Sequence, residues 1–231
     1  MPPPKDPELP AEVSAADLDP SVRRELRTLP EGLADTVARH LALAGRLVDD
    51  DPEGAYAHAL AARRRAARVP AVREAVGVTA YLVGRYAEAL AELRAVRRMS
   101  GSAAYLPMMA DCERGLGRPE RALELAADPT GLDTAGRVEL RIVAAGARRD
   151  LGQPDAAVLL LQGPDLRANS PEPWLGRLRY AYADALAAAG RDEESRTWFT
   201  LAMEADPDGA TDAAERAGMP APVRFLGDAG E

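Results

Sequence analysis

The chain has 231 residues, with 29 lysines and arginines against 37 aspartates and glutamates, and a formal net charge of −8 at pH 7. That balance argues against a duplex nucleic-acid binder, which needs a basic face to displace counterions. A single cysteine, Cys112, excludes an internal disulfide, and with two histidines far apart in sequence it assembles no structural zinc site.

Hydrophobic residues make up 47% of the chain but aromatic residues only 4%, and Ile142 is the one isoleucine. Alanine and leucine dominate instead, a composition that suits closely packed helices and suits sheets poorly. The opening MPPPKDPELPAEV has no apolar stretch of the kind a secretory signal needs. No run approaches the ~20 apolar residues that span a bilayer. A cytoplasmic protein is expected.

Residues 1–18 are rich in proline and acid and are expected to be disordered or loosely docked. Asp19-Pro20 reads as an N-cap followed by proline in the first helical position, starting a short helix over 19–29. In the next helix Leu33, Val37, Leu41, Ala44 and Val48 fall on one face. Asp51-Pro52-Glu53 reads as a further helix start. The triple aspartate at Asp49–Asp51 lacks the alternating ligand spacing of a calcium loop.

A punctuation mark then recurs: GRYAEAL at Gly84, GRPERAL at Gly117, GQPDAAV at Gly152 and GRDEESR at Gly190. Each glycine can take the left-handed conformation that ends a helix, and the acid that follows faces the positive end of the next one. Small residues at Gly77, Ala110, Ala145 and Ala183 are each followed 12 positions later by Ala89, Ala122, Ala157 and Ser195. The distance between corner glycines drifts instead, from 33 to 35 to 38. Constant spacing within units and variable spacing between them predicts helix pairs joined by tolerant loops.

At these residues the chain resembles the tetratricopeptide repeat, whose ~34-residue unit carries a Leu-Gly pair and a tyrosine in its first helix, then alanine, an aromatic and a proline. The last unit fits best, with Tyr182-Ala183, Ser195, Phe199, Ala202 and Pro207 at the corresponding places. In the unit from Pro70, Val76-Gly77, Ala89 and Leu93 match, while Ala80 replaces the tyrosine. The middle units keep only the small pairs, and a degenerate unit precedes them. The stretch ADCERGLGRPERALEL is also similar to an uncharacterised repeat family of high-GC bacteria, which implies no activity. The resemblance covers roughly residues 31–207 and implies an all-α, right-handed α-solenoid of about five antiparallel helix pairs, within a repeat domain over 19–207 that includes the N-terminal helix. A short capping helix and tail would follow over 208–231. Solenoids of this kind present a concave surface to partners.

On that template the first-helix residues Glu74, Val78 and Tyr81, Asp111 and Arg114, Ile142 and Arg149, and Arg177, Tyr180 and Asp184 should line the concave face. Tyrosine and arginine are enriched at binding hot spots, although the same residues also suit an ordinary solvated helix face. A lysine- and asparagine-based carboxylate clamp is not expected, since Lys5 is in the tail and Asn169 is out of place. Arg63, Arg64, Arg65 and Arg68, with Arg94, Arg97 and Arg98, complement helix dipoles or meet an acidic partner. His40 and His58 read as lone residues packed near the core. The residues point to no catalytic group, metal or cofactor, and phosphate-loop, dinucleotide and nucleophile-elbow motifs are absent.

A non-catalytic adaptor that binds a partner peptide or protein is therefore expected, as a monomer or homodimer. The alternatives are a self-assembling repeat protein joined through Trp174, Trp198 and Phe199, or an RNA-binding solenoid built on the arginine clusters. The tail residues Val223, Phe225 and Leu226 are expected to cover the last helix or to dock in a groove.

Overall fold

The computed structural model describes residues 6–168 and 172–218. Among these lie twelve α-helices and no strand. Val223, Phe225 and Leu226 lie outside the described residues. Two compact units divide the chain, Met1–Arg121 and Ala122–Glu231.

The first unit begins with residues 6–18 laid along the helices that follow. Arg39 donates from Nε to the Val13 carbonyl and from Nη2 to the Pro10 carbonyl, both at 2.9 Å. Helix α1 (Pro20–Leu26) is capped by Asp19, which accepts from the Ser21 N–H at 2.7 Å. Then come α2 (Glu31–Leu47), α3 (Pro52–Ala66), α4 (Pro70–Leu82), α5 (Tyr86–Ser100), α6 (Leu106–Gly115) and the start of α7 (Pro119–Ala126). Asp51 caps α3 by accepting from the Gly54 N–H at 3.0 Å. No side chain of its own N-cap serves α4; Glu25 of α1 accepts from the Ala71 N–H at 2.9 Å and fills that role. Each of α2 to α5 packs on the helix after it.

The second unit takes up α8 (Thr134–Asp150), α9 (Pro154–Leu161), α10 (Leu175–Ala188), α11 (Asp192–Glu204) and α12 (Ala213–Arg216). Its core joins Val138, Ala145, Ala157, Leu161, Leu178 and Leu186. A smaller cluster of Ala183, Phe199, Ala202 and Ala213 seats α12 on α10 and α11. The aromatic residues expected at a self-assembly surface are used inside this unit. Trp174 and Phe199 are buried, and Trp198 packs edge-on against Tyr182 at 4.9 Å. Trp174 and Phe199 are therefore not free to meet a second copy, while Trp198 is half-buried.

The four corners are built alike. Gly84, Gly117, Gly152 and Gly190 have φ of +74°, +70°, +70° and +73°. The residue after each donates to the carbonyl five positions back: Arg85 to Ala80 at 2.8 Å, Arg118 to Glu113 at 2.9 Å, Gln153 to Arg148 at 2.9 Å and Arg191 to Leu186 at 3.0 Å. Carbonyls left open by the ending helix are satisfied while the chain reverses. The spaced small pairs sit inside the hairpins. Ser195 Oγ donates to the Ala183 carbonyl at 2.8 Å, and a Cβ on Gly77 would lie 2.6 Å from a Leu93 methyl.

Close approach and open space give opposite expectations for two helical glycines. A Cβ on Gly176 would meet the Ala205 carbonyl oxygen at 2.9 Å, whereas Gly45 in α2 has no atom within 4 Å. Gly45→Ala should raise stability by about 0.5–1 kcal/mol through helix propensity alone. Gly176→Ala should lower it by about 1–3 kcal/mol, because rigid backbone must shift. Urea denaturation of the two variants checks both signs.

Candidate functional site

In the first unit, the expected site residues of α4 and α6 meet. Tyr81 Oη donates to Asp111 Oδ2 at 2.6 Å, and Arg114 Nη1 donates to Asp111 Oδ1 at 2.7 Å. Both carboxylate oxygens are thereby engaged. The Tyr81 ring also packs edge-on against Tyr86, with centroids 6.0 Å apart. Burial first, and then the bond to Asp111, push the Tyr81 phenol above its usual range. Glu74 accepts from the Tyr105 hydroxyl, whose ionisation is likewise pushed up by burial and by that carboxylate. Val78 is half-buried.

In the second unit, the residues of α8 and α10 form a comparable cluster with an addition from α12. Arg149 Nη1 pairs with Asp184 Oδ2. Arg216 Nη1 donates to Asp184 Oδ1 at 2.7 Å and to Tyr180 Oη at 3.1 Å. Its guanidinium lies 4.2 Å from the Phe199 ring centroid and 5.6 Å from that of Tyr180. Tyr180 in turn bonds Asp212; burial and this carboxylate raise its ionisation, against the pull of Arg216. Arg177 is exposed and pairs with Glu139 at 2.8 Å. Ile142 is half-buried.

The two clusters repeat one register. Tyr81 and Arg149 each stand three residues before a corner glycine, and Asp111 and Asp184 each stand six before the next. A donor on one first helix thus grips a carboxylate on the following first helix in both units. Tyr81 and Tyr180 are half-buried, and their hydroxyls are bonded. Their position nevertheless keeps ring surface and guanidinium edges at the protein surface.

Four of the seven clustered arginines, Arg63, Arg64, Arg65 and Arg94, are paired with acids. Arg63 bonds Glu88 at 2.6 Å and Glu92 at 2.8 Å, Arg73 bonds Glu92 at 2.7 Å, and Arg64 and Arg65 both pair with Asp6. Arg94 bonds the fully buried Glu113 at 2.7 Å. Asp6 is held at about 2 by the hydrogen bonds from Arg65 and Arg64. Sequence spacing places cations at helix ends but carries no signal for acids 19 to 59 residues away.

His40 and His58 are not lone residues. Both are buried, and their Nδ1 atoms lie 2.9 Å apart across α2 and α3. One ring must donate and the other accept, so the two Nδ1 atoms cannot both carry protons. Burial, then His58 and Arg65, lower His40 to about 4, with Asp6 opposing; burial lowers His58 as well. Cys112 is buried and its thiol is pushed up to about 12, so it stays protonated at neutral pH. Among the described residues no group of three or more His, Cys, Asp or Glu side chains could hold a metal ion, and no helix is long and apolar enough to cross a membrane.

Sequence reasoning missed Asp212 and Arg216. The available signal was local: an acid, a small residue and an arginine at helical spacing in DAAER, which begins five residues after the closing Pro207.

No known family profile matches the chain, and no curated protein matches it. Among solved structures, it is similar to the crystal structure of a thermophilic TPR protein from Thermus thermophilus, with a TM-score of 0.61 and 19% identity over 79% of this chain and 97% of that one. Together with the repeated corners, that likeness makes the fold an all-α helical-repeat fold of the tetratricopeptide type.

Proposed function

We propose that the chain is a non-catalytic cytoplasmic adaptor that binds a segment of another protein along the first helices of its repeats. The observation that carries this reading is the repeated cluster of tyrosine, arginine and aspartate on α4 with α6 and on α8 with α10. Tyrosine and arginine held rigid by a carboxylate lose little entropy on binding, which favours them as contact residues. The buried thiol and the low, buried histidine pair offer no poised nucleophile or base at neutral pH.

Affinity capture from the host's lysate tests this, using the intact chain beside a variant with Tyr81, Arg114, Arg149 and Tyr180 changed to alanine. A protein retained by the first and lost by the second is expected, with both baits equally helical by circular dichroism. Retention of the same proteins by both would remove the first-helix faces as the contact.

A second reading, self-association, has one observation in its favour. Leu159 is 69% exposed and Leu160 36% exposed on α9, two adjacent apolar side chains at the surface. Leu159→Glu should then convert a light-scattering dimer to a monomer; a wild-type monomer removes this reading.

A further inference from the structure

We infer that the Tyr180, Asp184 and Phe199 face is a receptor for a helical turn of the pattern acid, small residue, two variable residues, arginine, and that the chain's own Asp212–Arg216 fills it until a partner's turn takes its place. This rests on the first-helix binding reading above and names the chemistry of the segment bound.

The site has the parts a guanidinium needs. Asp184 supplies a carboxylate at 2.7 Å and Tyr180 a hydroxyl at 3.1 Å, while Phe199 presents a ring with its centroid 4.2 Å from the guanidinium carbon. A planar cation stacked on an aromatic face while bonding a carboxylate is recognition suited to arginine and not to lysine. The acid of the turn is read separately, because Tyr180 Oη bonds Asp212 as well as Arg216. Between them Ala213 is 1% exposed, packed with Ala183, Phe199 and Ala202. A larger side chain at that place would not fit, so the pattern is specific at three positions.

The turn now in place is built to be exchanged. Four residues of helix do not hold themselves together, and α12 has one buried side chain, Ala213. Its contacts to α10 and α11 are of the kind an identical turn from another chain would reproduce. The connection is pre-set: Asp206 accepts from the Ala210 N–H at 3.0 Å, the Thr211 N–H at 2.9 Å and the Thr211 hydroxyl at 2.7 Å. A tether this short gives the chain's own turn an effective concentration of about millimolar. An outside turn displaces it only when the rest of its segment gains contacts elsewhere along the first helices.

The test uses the full-length chain carrying Ala213→Asp and Arg216→Ala, which evicts its own turn. The probe is a capped peptide of residues 210–218, ATDAAERAG, beside the same peptide with alanine in place of arginine. Amide chemical shifts of Tyr180, Asp184 and Phe199 are followed by NMR. The evicted chain should bind the arginine peptide at least tenfold more tightly than wild type, and lose it at least tenfold on adding Asp184→Asn or on using the alanine peptide. If the evicted last repeat melts, Arg216→Ala alone serves with the same peptides. Binding no tighter than wild type in a folded variant, or equal binding of the two peptides, overturns the inference. Partner capture that still depends on the first-helix residues would leave the broader reading standing in that case.

Discussion

Arg94→Met should destabilise the protein by about 3 kcal/mol, far more than an exposed charge deletion costs. The reason lies in its partner. Glu113 has 1% of its side chain exposed, and Arg94 Nη2 bonds its Oε1 at 2.7 Å. The other oxygen, Oε2, is buried without a hydrogen bond, and Arg118 approaches it only to 3.6 Å. Removing Arg94 therefore strands a carboxylate that water cannot reach. The value sits at the low end for buried pairs because Arg118 remains 3.6 Å from the other carboxylate oxygen and offsets part of the loss. Adding Glu113→Gln should recover most of the loss, since a neutral amide has no charge to strand. Urea denaturation of the single and double variants measures both quantities. A loss below about 1 kcal/mol for Arg94→Met, the range of an exposed pair, would mean that Glu113 finds other partners.

The second large effect is pH dependence from the buried histidine pair. His40 is lowered to about 4 in the folded chain, chiefly by burial, and His58 is lowered too. In the unfolded chain both take protons near the ordinary histidine value of about 6.5. Depressed folded values mean that the unfolded chain binds more protons as pH falls. Stability from the pair is thus fully present above about pH 6.5; the His40 share is lost on acidification towards about 4, at up to about 1.4 kcal/mol per pH unit, and His58 adds to the loss in the same direction. Asp6, held at about 2, contributes below that window and does not mask it. The groups facing the pair are Arg64 and Arg65 of α3, Asp51 at its start and Asp6 of the N-terminal segment. Replacing both histidines by leucine removes donor and acceptor together and should flatten stability between about pH 7 and 5. An equal slope in the double variant, measured by urea midpoints across that range, would contradict the assignment.

The parts of the fold legible in the sequence are those set by neighbours along the chain. Gly84, Gly117, Gly152 and Gly190 mark corners because a left-handed φ is a local demand that glycine meets. Asp19 and Asp51 mark helix starts for the same local reason, through hydrogen bonds spanning two or three residues. The twelve-residue spacing of Ala183 and Ser195 anticipated a contact that a hydroxyl now makes across the hairpin. The unit carrying α7 ends that helix at Ala126, just before Asp128-Pro129, which a helix does not pass easily.

Side-chain partnerships between helices were not legible. His40 and His58 are 18 residues apart, Arg94 and Glu113 are 19 apart, and Asp184 and Arg216 are 32 apart. Each pairing depends on how two helices roll against one another and on which rotamer each long side chain takes, and no periodicity encodes either. The arginine triplet at Arg63–Arg65 shows the consequence. Its helix-end position was readable, while its neutralisation by Glu88, Glu92 and Asp6 was not, and that neutralisation changes what the surface offers a partner. Tyr81 meets Asp111 and Arg149 meets Asp184 because successive first helices lie side by side, a pairing of named side chains that the repeat register alone does not give.

The most direct measurement is amide hydrogen exchange of the full-length protein, alone and with the partner that the capture experiment retains. Slowed exchange in α4, α6, α8 and α10 on adding the partner is the expected result, with α12 exchanging faster as Arg216 leaves Asp184. Slowed exchange confined to α5, α9 and α11, with the first helices unchanged, would contradict binding along the first-helix faces.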